Sequence, residues 1–388
     1  MAKKINKLVK TLGIDLSIGK VKLCLLDLDR EEKKLGGGWS SLPVNFEFIA
    51  EKEYEFTEGL TVAIEAFLAH HKTEAEEIQS IIFCTGGAYY MFKTFAEGMR
   101  YVASILKMIF PRQKVYFIRC DSELIELKNI FELPDSAASA FGCTNFLGTA
   151  LLAAKTFSEG LAIDMGTIST SIIPILDGEI DPVAAYNPAG YIKHRYSTGK
   201  HVWYGAMHTQ LTYITNQAKT KKGNYNLIHR SCTTNTLCSL LNLLEPDVAN
   251  PHVQLETSKI MEREMSLLYM AETLGLDINS IDTQDLLDVT NDIYFQLIYK
   301  LSDIIRNILN NMNYKNFSTL KVMAAGLGQE AFIIPALLAC GFDRSQIIVI
   351  GEDKQNKLWT ATSVYGIALL ALEKIIGEQI NISMETIS

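Results

Sequence analysis

The sequence lacks any apolar run long enough to span a bilayer. Its longest uncharged stretch near the C-terminus, AFIIPALLACGF at 331–342, falls short of the roughly 20 residues a membrane helix needs. The basic start MAKKINKLVK leads into a stretch broken at once by Asp15 and Lys20, so no signal peptide is expected. Positive charge is not in excess: the formal net charge is -8 and the sequence pI about 5.5. That balance excludes a general nucleic-acid or anionic-membrane surface and leaves room for a local basic pocket. Paired cysteines are lacking too. The seven, Cys24, Cys84, Cys120, Cys143, Cys232, Cys238 and Cys340, are odd in number and scattered, which reads as buried free thiols in a reducing compartment. A soluble, cytoplasmic protein is the expectation.

Familiar catalytic signatures are equally absent. There is no G-x-S-x-G, no G-x-x-x-x-G-K-[ST] and no H-E-x-x-H. His194, His201 and His208 recur every seven residues, but Gly199 and Gly205 interrupt any single helix there. His229, Cys232 and Cys238 lack the spacing of a zinc site.

What remains is an ordinary globular composition, 48% hydrophobic and 21% charged over 388 residues, enough for two domains or one α/β unit with two lobes. Strand-like runs alternate with helical ones. Strands are expected in 11–29 around a Gly19 turn, at 80–86, 114–119, 319–326 and 347–352. Helices are expected at 59–71, 88–110, 135–157, 254–274, 284–313, 329–339 and 356–377, with a turn-rich loop at 32–43 and an irregular region at 182–252. The pattern predicts an α/β fold with a largely parallel sheet. Residues 1–157 would form an N-terminal lobe. Residues 158–388 would form a second lobe with an insertion around 182–275, its final helix packing back on the first.

One internal similarity organises the rest. LGIDLSIGKVKLCLLD (12–27) and LAIDMGTISTSIIPIL (161–176) share a shape: an apolar strand, Ile-Asp, a turn with glycine, and a second apolar strand. Each opens one half of the chain. Two such lobes would face each other across a cleft, each presenting an aspartate at a strand end. Asp15 and Asp164 are therefore candidate ligands of a hydrated Mg²⁺, which takes few protein ligands. The turns are candidate anion nests: Ser17, Gly19 and Lys20 in the first, Gly166, Thr167, Ser169 and Thr170 in the second. For either hairpin alone, an Asp-capped turn decorated with hydroxyls is the plainer reading; the pair points to phosphate.

VMAAGLGQEAF (322–332) adds a strand ending in Gly326-x-Gly328 before a helix, a place for a phosphate or nucleotide to approach. AGYIKHRYSTGKHVWYGAMHTQL (189–211) gathers Lys193, Arg195 and Lys200 around Thr198 and Gly199, with Trp203 and Tyr204 available to stack on a ring. A solvated basic loop fits the same residues.

Together these segments resemble the actin, sugar-kinase and heat-shock ATPase superfamily. Within it the chain is similar to hydantoinase/oxoprolinase-like proteins linked to tetrahydromethanopterin C1 transfer, whose methanogen members are assigned as a methanofuran-pathway synthase. The resemblance runs over most of 12–210 and resumes around 320–372. LGIDLSIGKVK resembles a G-I-D-I-G-G-x-x-x-K start, with Asp15 and Lys22 matching and Ser17 and Ile18 in place of glycines. In FCTGGAYYMFKTFAEGMRYV, Thr85, Glu97 and Gly98 match, while Gly87 replaces an acid. In DMGTISTSIIPILDGE, Asp164, Gly166, Thr170 and Pro174 match, while Ser171 replaces a carboxylate. In YSTGKHVWYGAMHTQL, Thr198, Gly199, Gly205 and Thr209 match; Lys200, His208 and Gln210 depart.

The resemblance implies a two-lobed actin-like (ribonuclease H-like) fold. It also implies a Mg²⁺-assisted transferase acting on a small phosphate- or diphosphate-activated substrate, with Asp15, Asp164 and Lys22 as catalytic residues. An ATP-dependent kinase or oxoprolinase-like hydrolase is the first alternative. A binding protein that kept the fold without the chemistry is the second. A small phosphorylated substrate and a homodimer are the expected partners.

Overall fold

The computed structural model describes residues 8–17, 19–44, 49–181, 183–244, 260–312, 314, 317–351 and 358–380. Ile18 of the first turn, 254–259 of the helix expected near 254–274, Glu352, and 356–357 of the final helix lie outside the described residues. The chain divides into two compact units. The first comprises Met1–Ser158, Ile175–Arg195 and Gly351–Ser388; the second comprises Glu159–Pro174 and Tyr196–Ile350.

The first unit is built on strands β1 (Leu8–Ser17), β2 (Lys20–Asp29), β3 (Lys34–Pro43), β4 (Ile78–Gly86), β5 (Lys114–Ile118) and β6 (Leu124–Glu126), in the order β3-β2-β1-β4-β5-β6. β1, β2 and β3 are antiparallel, β4 runs parallel to β1, and β5 parallel to β4. Every residue from Thr11 to Leu16 is buried, as expected of a central strand covered on both faces.

Three strands follow: β7 (Gly160–Met165), β8 (Thr170–Leu176) and the two-residue β9 (Glu179–Ile180), which pairs with the end of β8 in the first unit. The second unit adds β10 (His201–Val202), the hairpin β11 (Gln217–Thr220) and β12 (Gly223–Asn226), then β13 (Lys321–Ala325) and β14 (Ile347–Val349). Its sheet has the order β10-β8-β7-β13-β14, with β7, β13 and β14 parallel. The helix Thr283–Asn310 packs into its core through Leu286, Val289, Ile293, Leu297, Leu301 and Ile305.

The two sheets share one wiring. In each, a hairpin leads, and its first strand then pairs in parallel with a later strand that pairs with a second: β1-β4-β5 and β7-β13-β14. The repeat read from 12–27 and 161–176 is thus the start of the same topology on each unit.

Local differences from the sequence reading have physical causes. The segment at 32–43, expected as a loop, is largely strand β3. Its three glycines let it run close to neighbours: a side chain at Gly37 would lie 2.1 Å from the Leu25 carbonyl oxygen. The helix expected at 88–110 starts only at Phe95, where Thr94 caps it by accepting from the Glu97 N–H at 3.1 Å. The helix expected at 135–157 is broken into Asp135–Phe141 and Phe146–Thr156, and Cys143 between them has φ 50°.

One packing contact matters for the site. The final helix, Thr362–Ile376, crosses helix Phe146–Thr156 at Gly148 and Gly366, within the first unit. A Cβ on Gly148 would lie 1.7 Å from the Ser363 carbonyl oxygen, so only glycine permits this approach. The crossing lays the final helix against β1, where Thr11 Oγ1 donates to the carbonyl of Ala368 in mid-helix at 3.1 Å.

Candidate phosphate-binding hairpins

In the first unit Asp15 sits near the end of β1 and is completely buried. A buried carboxylate must be compensated, and this one is. Ser363 Oγ donates to its Oδ2 at 2.8 Å and Ser17 Oγ to its Oδ1 at 3.2 Å. Lys22, its register partner across the hairpin, brings Nζ to 3.7 Å from Oδ2 and to 3.4 Å from Ser363 Oγ. The Lys22 side chain is 16% exposed, so its ammonium joins the buried carboxylate to the surface. Gly19 turns the chain at φ 76°. Thr85 Oγ1 donates to the Leu16 carbonyl at 2.9 Å, fixing the strand end from the β4 side. Burial, and next the Asp15 charge, push the neighbouring Cys84 thiol well above its usual range, against the opposing effect of Lys22. It is no nucleophile.

Ser363 was not foreseen. Nothing in its local sequence distinguishes it from a small residue at a helix start; only the glycine crossing makes it a partner of Asp15.

In the second unit Asp164 is half-buried at the end of β7. Across the sheet, Ala325 is its register partner, and the chain then turns at Gly326 with φ 87°. A Cβ on Gly326 would lie 2.5 Å from Asp164 Oδ1, so the glycine is required both by its backbone and by the carboxylate beside it. Gly328 donates its N–H to the Met165 carbonyl at 3.0 Å. Thus Asp164, Gly326 and Gly328, separate in sequence, are neighbours.

The turn after Asp164 is closed by the Gly166 N–H donating to the Ser169 carbonyl at 2.9 Å. It is held from outside as well: Ala206 N–H donates to the Gly166 carbonyl, and Met207 and His208 N–H both donate to the Thr167 carbonyl. Gly205 makes this clamp close, since a Cβ there would lie 2.2 Å from the Ile168 backbone. With those carbonyls engaged, the N–H groups of Thr167, Ile168 and Ser169 have no partner among the described residues. Clustered unpaired N–H groups at a fixed turn are the chemistry of an anion nest.

Not every residue expected around the turns points to a ligand. Thr170 is fully buried, and its Oγ1 donates to the Tyr204 carbonyl at 2.5 Å, so its hydroxyl is structural. Ser171 Oγ lies 3.2 Å from His201 Nδ1. The basic segment spans the boundary of the two units. Lys193 and Arg195 belong to the first unit; Thr198, Gly199, Lys200, Trp203 and Tyr204 belong to the second. Lys193 and Thr198 are exposed, and Gly199 turns the chain at φ 74°. Arg195, expected among the substrate cations, is instead 2% exposed, its guanidinium 3.8 Å from the Phe146 ring centre. A cation stacked in this way on a buried ring is a core element of its unit. Lys200 is buried too, and its carbonyl accepts from the Ile172 N–H. Trp203 is 48% exposed and stacks on Tyr196, the rings 6.2 Å apart and inclined by 14°. Tyr204 is half-buried, and burial raises its phenol above the usual range.

Among the described residues no three His, Cys, Asp or Glu side chains gather at one point. That donor set does not fit a closed protein cage for zinc or calcium. A half-buried carboxylate at a strand end, as Asp164 is, suits Mg²⁺, which keeps most of its water and takes one or two carboxylates together with substrate phosphate.

The two α/β sheets, each led by an Asp-turn hairpin, have the fold of the actin, sugar-kinase and heat-shock ATPase superfamily. No family model matches the chain. A Methanococcus vannielii protein, (4-{4-[2-(gamma-L-glutamylamino)ethyl]phenoxymethyl}furan-2-yl)methanamine synthase, is 22% identical over 212 residues, covering 54% of this chain and 89% of that protein. Among solved structures, a nucleotide-free acetone carboxylase, an enzyme of ATP-dependent acetone carboxylation, is 11% identical with a TM-score of 0.51, covering 94% of this chain and 70% of that one. Component A of the Acidaminococcus fermentans (R)-2-hydroxyglutaryl-CoA dehydratase is 14% identical with a TM-score of 0.44, covering 95% and 99%. No single helix among the described residues is long and apolar enough to cross a membrane.

Proposed function

We propose that the chain is a Mg²⁺-assisted transferase acting on a small phosphate- or diphosphate-activated substrate. The observation that carries this reading is the second hairpin: Asp164 stands beside the Gly326 turn and next to a turn whose 167–169 N–H groups have no partner among the described residues. The synthase likeness over 212 residues agrees with a transferase. Asp164 would hold the metal through its water shell, and Asp15 is the corresponding carboxylate of the first hairpin. Bound there, Mg²⁺ would neutralise charge on the departing phosphate. The chain's own groups do the rest. The 167–169 N–H groups bind phosphate oxygens. On the first hairpin the corresponding cation is Lys22, which the carboxylate of Asp15 and the hydroxyl of Ser363 hold in place. Fixed donors of this kind stabilise developing charge without reorganising.

Titration calorimetry with magnesium diphosphate tests the reading. Binding is expected in the native chain, with at least a tenfold loss in Asp164→Asn. Equal affinity in the two proteins would reject the site. A second reading, an ATP-dependent enzyme, is favoured by Gly326-x-Gly328 opening the helix Gln329–Cys340 beside Asp164. It requires MgATP to bind more tightly than magnesium diphosphate in the same experiment.

A further inference from the structure

We infer, on the magnesium and phosphate reading of the second hairpin, that the first hairpin carries its own cation where a metal ion would otherwise stand. Lys22 closes Asp15, and the chain binds a single Mg²⁺, at Asp164. Two carboxylates that the sequence presents as equals are thereby divided in role.

Both oxygens of Asp15 are engaged. Its Oδ1 accepts from Ser17 Oγ at 3.2 Å, and its Oδ2 from Ser363 Oγ at 2.8 Å. None of the residue is exposed. Asp15 and Lys22 are register partners on the antiparallel strands β1 and β2, so their side chains stand on one face of the sheet. Lys22 Nζ lies 3.7 Å from Oδ2. It also donates to Ser363 Oγ at 3.4 Å, so ammonium, hydroxyl and carboxylate form one chain of contacts. Cys84, the register partner of Asp15 on β4, adds no charge: burial, and next the Asp15 carboxylate, keep its thiol protonated.

Magnesium has no place in this set. Direct ligation brings the ion to about 2.0–2.1 Å from a carboxylate oxygen. Ligation through one of its waters sets it roughly 4 Å away. The Lys22 ammonium already stands near that distance. A divalent ion must displace it or lie beside it, and like charges so close repel. The buried pair is also neutral as it stands, and a dication added to it leaves net charge away from water. Asp164 is differently placed. It is half-buried at the end of β7, and the missing side chain of Gly326 leaves a place beside its Oδ1, where a Cβ would lie at 2.5 Å. A carboxylate with room at one oxygen suits a hydrated ion.

Equilibrium dialysis against Mn²⁺ with an equimolar amount of diphosphate counts the metal bound per chain, since Mn²⁺ takes the same oxygen ligands as Mg²⁺. The native chain is expected to bind one Mn²⁺, and Asp164→Asn to weaken it about tenfold or more. Two Mn²⁺ per native chain overturn the inference, as does a single Mn²⁺ that Asp164→Asn leaves unchanged. Lys22→Ala removes the tethered cation and opens Asp15 to a metal. A second Mn²⁺ should then appear, and Mn²⁺ should raise the Tm of this variant more than that of the native chain. Lys22→Arg keeps a cation and should still bind one; it carries the test if Lys22→Ala does not fold. A second Mn²⁺ in Lys22→Arg, or none gained in folded Lys22→Ala, overturns the exclusion of metal by the ammonium. A native chain that binds no Mn²⁺, with or without diphosphate, instead removes the magnesium reading of the second hairpin.

Discussion

The two hairpins start from the same sequence shape and end in different electrostatic settings. Asp15 is sealed: a lysine, two serine hydroxyls and complete burial surround it. Asp164 is half-buried, its surroundings shaped by the Gly326 turn. A carboxylate bound into its own unit contributes to stability as well as to any ligand. One that is half-buried beside a glycine turn is the more accessible to a ligand. The comparison teaches that repeated motifs need not carry repeated roles, and it makes Asp15 the riskier position to change.

The largest effect should follow Asp15→Asn. The substitution leaves Lys22 beside an amide, and breaking a largely buried pair on one side costs about 3 kcal/mol. Chemical denaturation should show that loss. An unchanged unfolding midpoint would mean that Lys22 does not compensate Asp15. Next comes Gly205→Ala in the second unit. Its Cβ must displace the Ile168 backbone, 2.2 Å away, at about 1–3 kcal/mol. Magnesium diphosphate affinity should fall with it, because the carbonyl clamp on the turn opens. Normal affinity in a destabilised Gly205→Ala chain would separate the turn's shape from its binding. Asp164→Asn should cost least in stability, below about 1 kcal/mol, while removing most of the Mg²⁺ dependence of diphosphate binding. A stability loss matching that of Asp15→Asn would erase the contrast between the hairpins.

How much of this the sequence disclosed follows from the range of each interaction. Ile-Asp followed by a glycine turn and an apolar strand is local, so both hairpins and their shared topology were legible, as was the Gly326 turn. Interactions over long separations were not. Ser363 reaches Asp15 across 348 positions, and only the contact of Gly148 with Gly366 arranges it. Charge alone also misled. Lys193, Arg195 and Lys200 read as one basic pocket, but an arginine can serve as readily inside as outside, and Phe146 takes its guanidinium. Likewise the row of hydroxyls at 167–171 looked uniform. Strand alternation sends Thr170 to the Tyr204 carbonyl and Ser171 to His201, which no hydropathy pattern resolves.

The smallest expected effect sharpens the contrast from the first sheet. His71 packs against β3 at Gly38, where a Cβ would lie 2.3 Å from its Cε1. Burial lowers its imidazole below the usual range, His70 lowers it further, and Asp27 on β2 opposes both. A base depressed in the folded state is protonated more readily in the unfolded chain. Stability is therefore complete above about pH 6.5 and falls as pH drops through the ordinary imidazole range towards the lower folded value. Thermal unfolding at pH 7.5 and pH 5.5 should show a decrease in Tm larger in the native chain than in His71→Gln, by about 1 °C. Because His71 lies against the sheet of the first hairpin, the excess should appear in the transition that Asp15→Asn shifts and leave the one that Gly205→Ala shifts. If the two substitutions move a single common transition, the units unfold together, and the difference between the hairpins is one of binding alone.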